Sequence, residues 1–120
     1  MLETTVQPGT NIVTLDYRGG LSVEDEQRMR QVLDGVIRDH GSIRMLAVLG
    51  RIDVSDISPR AAWMDLKAAG YLTKLDRLAV VTDAAWAAKI SEWTAELVHV
   101  TVRTFPADRR SAALAWLAQP

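Results

Sequence analysis

Two short, almost uninterrupted apolar runs, Ile43 to Leu49 and Leu78 to Thr82, constrain this chain more than any other feature, because each is followed by a stretch of helical periodicity. A strand that is apolar at consecutive positions has to be covered on both faces. Strands alternating with helices in this way demand a largely parallel sheet joined by right-handed crossovers. The two apolar runs are therefore expected at the centre of that sheet.

The rest of the chain fits around them. Leu2 to Val6 reads as a short first strand, and Gln7-Pro8-Gly9-Thr10 as a turn in which Pro presets φ and Gly accepts a positive one. Asn11 to Tyr17 alternates, with Val13, Leu15 and Tyr17 on one side, and is expected to pair with the first strand as a hairpin. Gly19-Gly20 ends it. Ser22, with Asp25 three residues on, opens a first helix whose stripe is Met29, Val32, Leu33, Val36 and Ile37, closed by His40-Gly41. A polar stretch, Gly50 to Ser58, follows the first apolar run. Ser58 is the expected N-cap and Pro59 the first residue of a second helix reaching Ala69, with Ala62, Trp63, Leu66 and Ala69 inward.

Asp83 caps a third helix carrying Trp86, Ile90, Trp93 and Leu97 on one stripe. Val98, Val100 and Val102 then alternate with His99, Thr101 and Arg103, the pattern of a strand near an edge. Pro106 ends it, and Asp108 opens a last helix that buries Ala113, Leu114 and Leu117. The order is β-β-α-β-α-β-α-β-α. The fold class is α/β: one domain over residues 1–120, a mostly parallel sheet of about five strands with an N-terminal β-hairpin, and four helices.

Composition narrows the function classes. Lys and Arg number 14 against 15 Asp and Glu, a net charge of −1, so the chain lacks the electrostatic footprint of a nucleic-acid binder. With no cysteine there is no disulfide, thiolate nucleophile or Cys-based metal site. Unbroken apolar runs such as Met45 to Leu49 are far too short to span a bilayer. Met1 to Thr5 lacks the regions of a signal peptide, so the cytoplasm is the expected compartment, with peripheral membrane association as the alternative.

Residues placed for chemistry are few. Asp53, Asp56 and Asp83 fall where strand ends meet helix starts, positions from which acids hold a cation or accept a phosphoryl group. The same positions suit helix caps and turns, which is the favoured reading. His40 and His99 have no companion at ligand spacing, and His99 is expected on the wet face of a strand. No Gly-rich phosphate loop or nucleophile elbow occurs. The chain is read as having no cofactor, no metal and no enzyme activity. Its four Trp residues all fall on helices, where such aromatics generally pack on a sheet. The functional alternative is that Trp63, Met64, Leu66, Trp86, Ile90 and Trp93 line an apolar pocket between the second and third helices.

Three segments carry a resemblance. Ser58-Pro59-Arg60-Ala61-Ala62-Trp63-Met64-Asp65-Leu66-Lys67, the run Arg77-Leu78-Ala79-Val80-Val81-Thr82-Asp83 leading into Ala84-Ala85-Trp86, and Phe105-Pro106 with Ala113-Leu114-Ala115-Trp116-Leu117 resemble the SpoIIAA-like family. This is a group of small bacterial proteins related in fold to STAS domains and CRAL-TRIO lipid-binding domains. The resemblance implies a βα superhelix with the hairpin strand at one edge, and two roles. On the CRAL-TRIO side it implies a pocket for an apolar or lipid-like molecule. On the STAS side it implies a protein-interaction regulator akin to anti-sigma factor antagonists, phosphorylated on a Ser in an Asp-Ser-Ser/Thr-Gly loop. Asp56-Ile57-Ser58-Pro59 stands there, with Ser58 at the modified position and with Ile57 and Pro59 departing from the pattern. The favoured reading is a binding module for an apolar ligand or lipid. The regulator with a protein partner is the alternative, and the oligomeric state, homo-oligomer included, stays open.

Overall fold

Residues 1–50 and 52–120 are described in a computed structural model; Arg51, within the loop expected over Gly50–Ser58, lies outside the described residues. The elements are β1 (Leu2–Val6), β2 (Ile12–Tyr17), α1 (Val23–His40), β3 (Ile43–Leu49), α2 (Ser58–Ala68), β4 (Leu75–Val81), α3 (Ala84–Thr94), β5 (Thr101–Phe105) and α4 (Arg110–Leu117). They form a five-stranded sheet in the order β1-β2-β3-β4-β5, with β1 antiparallel to β2 and the other pairs parallel. The α/β expectation holds, and β3 and β4 are interior strands as their apolar runs require.

Strand order equals chain order, so every crossover steps the same way across the sheet. Right-handed connections then put α1, α2 and α3 on one face. The larger core lies there: Met29, Leu33 and Val36 of α1, Leu66 of α2, and Trp86 and Ile90 of α3 against Leu15, Met45, Leu78 and Val80 of the sheet. The opposite face buries Ile12, Leu46, Ala79, Val81 and Phe105 beneath Ala113 and Leu117 of α4. Two arginines secure that end. Arg44 Nη1 donates to the Leu117 carbonyl at 2.8 Å, and Arg77 Nη1 to those of Trp116 and Gln119 at 3.1 and 2.8 Å. They thus satisfy the carbonyls that a helix C-terminus leaves without partners. The Arg77 guanidinium also lies 5.6 Å from the Trp116 ring centre.

The first helix forms as its capping box predicts. Asp25 N–H donates to Ser22 Oγ at 3.0 Å, Ser22 N–H donates to Asp25 Oδ2 at 3.2 Å, and Gly41 at φ 78° closes the helix. Elsewhere the boundaries move. β4 begins at Leu75 rather than Leu78, after a turn of 3-10 helix over Tyr71–Lys74, because Leu75 and Arg77 pair with Ile43 and Arg44 of β3. α3 stops at Thr94, whose hydroxyl turns back to the Ile90 carbonyl at 2.8 Å; Leu97 is still partly buried, but beyond the helix. β5 starts at Thr101, not Val98: Val98 is 95% exposed, and His99 leaves the strand pattern with Nε2 2.8 Å from the Leu72 carbonyl. Asp108 caps nothing. A turn joining Arg109 N–H to the Pro106 carbonyl at 2.9 Å delays α4 to Arg110. Ala69 is exposed rather than inward.

Leu117 is fully buried under the face that α4 covers. Replacing it with Ala is expected to cost about 2–5 kcal/mol, measured by urea unfolding. A loss within the range of a surface substitution would show that α4 is not part of the cooperative core.

Candidate functional site

The ends of β2 and β3, the loop after β3 and the start of α2 meet at one edge of the molecule. Tyr17, the last residue of β2, is buried, and its hydroxyl donates to Asp56 Oδ2 at 2.7 Å while accepting the Gly20 N–H at 3.0 Å. The other oxygen of Asp56 accepts the Ser58 N–H at 2.9 Å. Asp56 therefore performs the capping that the sequence assigns to Ser58. Ser58 is itself the first helical residue, preceded by Ile57, and Pro59 follows in the first turn, where its missing N–H costs nothing. Earlier in the loop, Asp53 Oδ1 accepts both the N–H and the hydroxyl of Ser55 at 2.8 Å.

These bonds set the local electrostatics. The Ser58 N–H, then the Tyr17 hydroxyl, hold the Asp56 carboxyl below its usual value. The N–H of Ser55 does the same for Asp53. Burial pushes the Tyr17 phenol up, so it stays a protonated donor at neutral pH. On the far side of α2, Glu26 of α1 meets Asp65, and the hydrogen bond between the two carboxyls raises Glu26. Its contribution has the opposite sign: it is present below the ordinary glutamate value and lost as pH rises through the raised one.

The loop thus braced holds Ile57 outward, 79% exposed, beside Val54 and with Met64 of α2, itself 50% exposed, farther along. Ser58 is half-buried beside the Tyr17–Asp56 pair, whereas Ser55 is exposed. A shallow cleft of about 240 Å³ separates this loop from α3, bounded by Ser55, Ile57 and Arg60 on one side and Lys89 and Trp93 on the other.

The six apolar residues singled out in the sequence divide. Trp63, Leu66, Ile90 and Trp93 line an apolar cavity of about 80 Å³ between the sheet and α1, α2 and α3. Trp86 lies outside its wall and is 1% exposed; its Nε1–H donates to the Ile52 carbonyl at 3.2 Å, and its ring meets Trp93 edge-on at 6.0 Å. Met64 points to solvent. Asp83 is a helix cap, accepting the Trp86 N–H at 3.0 Å. Among the described residues, no three His, Asp or Glu side chains gather as a metal site would need.

The sequence model of the SpoIIAA-like family matches residues 12–118, from β2 through α4. The chain belongs to the SpoIIAA-like family. No curated protein and no solved structure gives a significant match. No helix among the described residues is long and apolar enough to cross a membrane. For a SpoIIAA-like chain, the informative residues that sequence reasoning passed over are Tyr17 and Ile57. Tyr17 reads as one more core position of an alternating strand. Ile57 reads as a departure from the STAS loop pattern, though an Ile between an Asp and a Ser-Pro helix start was the available signal.

Because Asp56 is depressed in the folded state, the stability it contributes is present above the ordinary aspartate value, about 3.9, and fades as pH falls through the lowered one. Wild type is expected to exceed Asp56→Asn in stability at pH 7, and the gap to narrow below about pH 4. Urea unfolding across that range checks it. A gap that does not change with pH would mean the carboxylate is not engaged.

Proposed function

We propose that this SpoIIAA-like chain is a non-enzymatic, STAS-type protein-interaction regulator whose partner docks on the loop before α2 and on the outer face of α2. The observation that carries this reading is Ile57: a large apolar side chain, 79% exposed, on a loop fixed by the Tyr17–Asp56–Ser58 bonds. Exposed apolar side chains on a rigid mount favour association, because little ordering entropy is lost on binding. Family membership also favours protein partners over a small-molecule substrate.

The reading as a lipid-holding module has less support. A cavity of about 80 Å³ holds no more than a very small apolar molecule, whereas sites for larger ligands run to about 300–1,000 Å³. To admit a lipid, α2 and α3 would have to part, separating Trp63 and Trp93 from the sheet residues they now face. Native mass spectrometry of the purified chain is expected to give the unliganded mass. A co-purifying lipid-like mass would return the apolar-ligand reading to first place.

Substitutions at two positions test the docking surface. Ile57→Glu should leave the unfolding midpoint within the range of a surface change, about 0.5 kcal/mol, yet abolish a stoichiometric complex recovered with wild type. Ser58→Asp sets a second carboxylate beside Asp56 and should weaken the same complex by disturbing the mount of Ile57, while Ser58→Ala should not. A complex that survives Ile57→Glu unchanged would remove this surface from the interface.

A further inference from the structure

The outer face of α2 indicates what kind of partner it fits. Ile57, Ala61, Met64 and Ala68 are spaced by four, three and four residues, which aligns them as one stripe on a helix of 3.6 residues per turn. All four are exposed. The two alanines leave shallow notches between the two large side chains, a relief that a second helix can enter with its own ridges. One side of the stripe is basic. Arg60 and Lys67, seven residues apart, follow the border nearer α3, and Lys67 Nζ lies 3.9 Å from Glu96 just beyond that helix. Along the other border Asp65 turns toward Glu26 of α1.

Resting on the reading that this surface docks a protein, we infer that its occupant is an amphipathic helix of a second protein, with an acidic flank that lies over Arg60 and Lys67. The apolar stripe supplies the contact area. The charge difference between its borders fixes which way round the incoming helix lies, because reversing it would set carboxylates against Asp65. An antiparallel two-fold pairing of α2 with a second copy of this chain fits less well, because it brings each basic border onto its own copy and so sets Arg60 and Lys67 against like charges.

The test is a displayed library of helical peptides of about 18 residues, with leucines fixed on one stripe and flanking positions varied among Glu, Lys and Ala. It is panned against the intact chain. Enrichment of peptides with Glu on one flank is expected, and the best of them should bind about tenfold more weakly to Arg60→Glu/Lys67→Glu. A version of that peptide with Lys on the flank should recover affinity for the reversed variant. Binding should also be lost with Ile57→Glu or Met64→Glu, each checked by circular dichroism for an intact fold. Enriched peptides indifferent to flank charge would overturn the inference. So would a chain that sediments as a dimer and becomes monomeric with Ile57→Glu, since the occupant would then be a second copy. Failure to enrich any peptide, while Ile57→Glu still abolishes a cellular complex, overturns the helical partner but leaves the docking surface standing. If that complex is untouched as well, the reading beneath the inference has failed too.

Discussion

The fold depends on all its parallel crossovers stepping the same way across the sheet. A right-handed strand–helix–strand connection lands its helix on one particular face. Three successive steps in the same direction therefore load α1, α2 and α3 onto one side, and β3 and β4 must be apolar on consecutive residues to serve both sides. The face left over would expose Leu46, Val81 and Phe105 if α4 did not return across it. This explains why a helix of eight residues is held so firmly at its C-terminal end by Arg44 and Arg77, whose guanidinium groups replace the hydrogen bonds that its last carbonyls lack.

The same topology brings the carboxyl ends of β2 and β3 together at one edge, and there the chain spends polar groups on rigidity. Tyr17, Asp56 and the Ser58 backbone form a short chain of hydrogen bonds in which each oxygen of Asp56 has a separate partner. A carboxylate bonded through both oxygens in this way is held in one orientation. What it does is fix the path into α2. The exposed Ile57 is a consequence of that path, and the proposed interface with it.

Much of the fold was legible in the sequence because its signals are local. Period-two alternation in β2, the capping box of α1 and the continuous apolar runs of β3 and β4 each reflect one element's need to bury a face or satisfy its own backbone. The errors share a cause as well. β4 starts three residues early because its first residues pair with Ile43 and Arg44 of β3, and β5 starts late because His99 is drawn to the 3-10 turn at Leu72. Ser58 yields its cap to Asp56 because Tyr17, far away in sequence, holds that carboxylate in place. Each boundary was moved by a contact between distant segments.

The candidate site divides in the same way. Trp63, Leu66, Ile90 and Trp93 share a cavity wall, whereas Trp86 is sealed outside it and Met64 faces solvent. By itself the sequence determined a single α/β layer arrangement and the family, because periodicity and caps are properties of adjacent residues. Only the tertiary structure decided that the space beneath the tryptophans is small, that Asp56 rather than Ser58 caps α2, and that Ile57 stands in water. Those outcomes depend on how closely α2 and α3 settle on the sheet and on which strand end reaches the loop, distances that no one segment encodes.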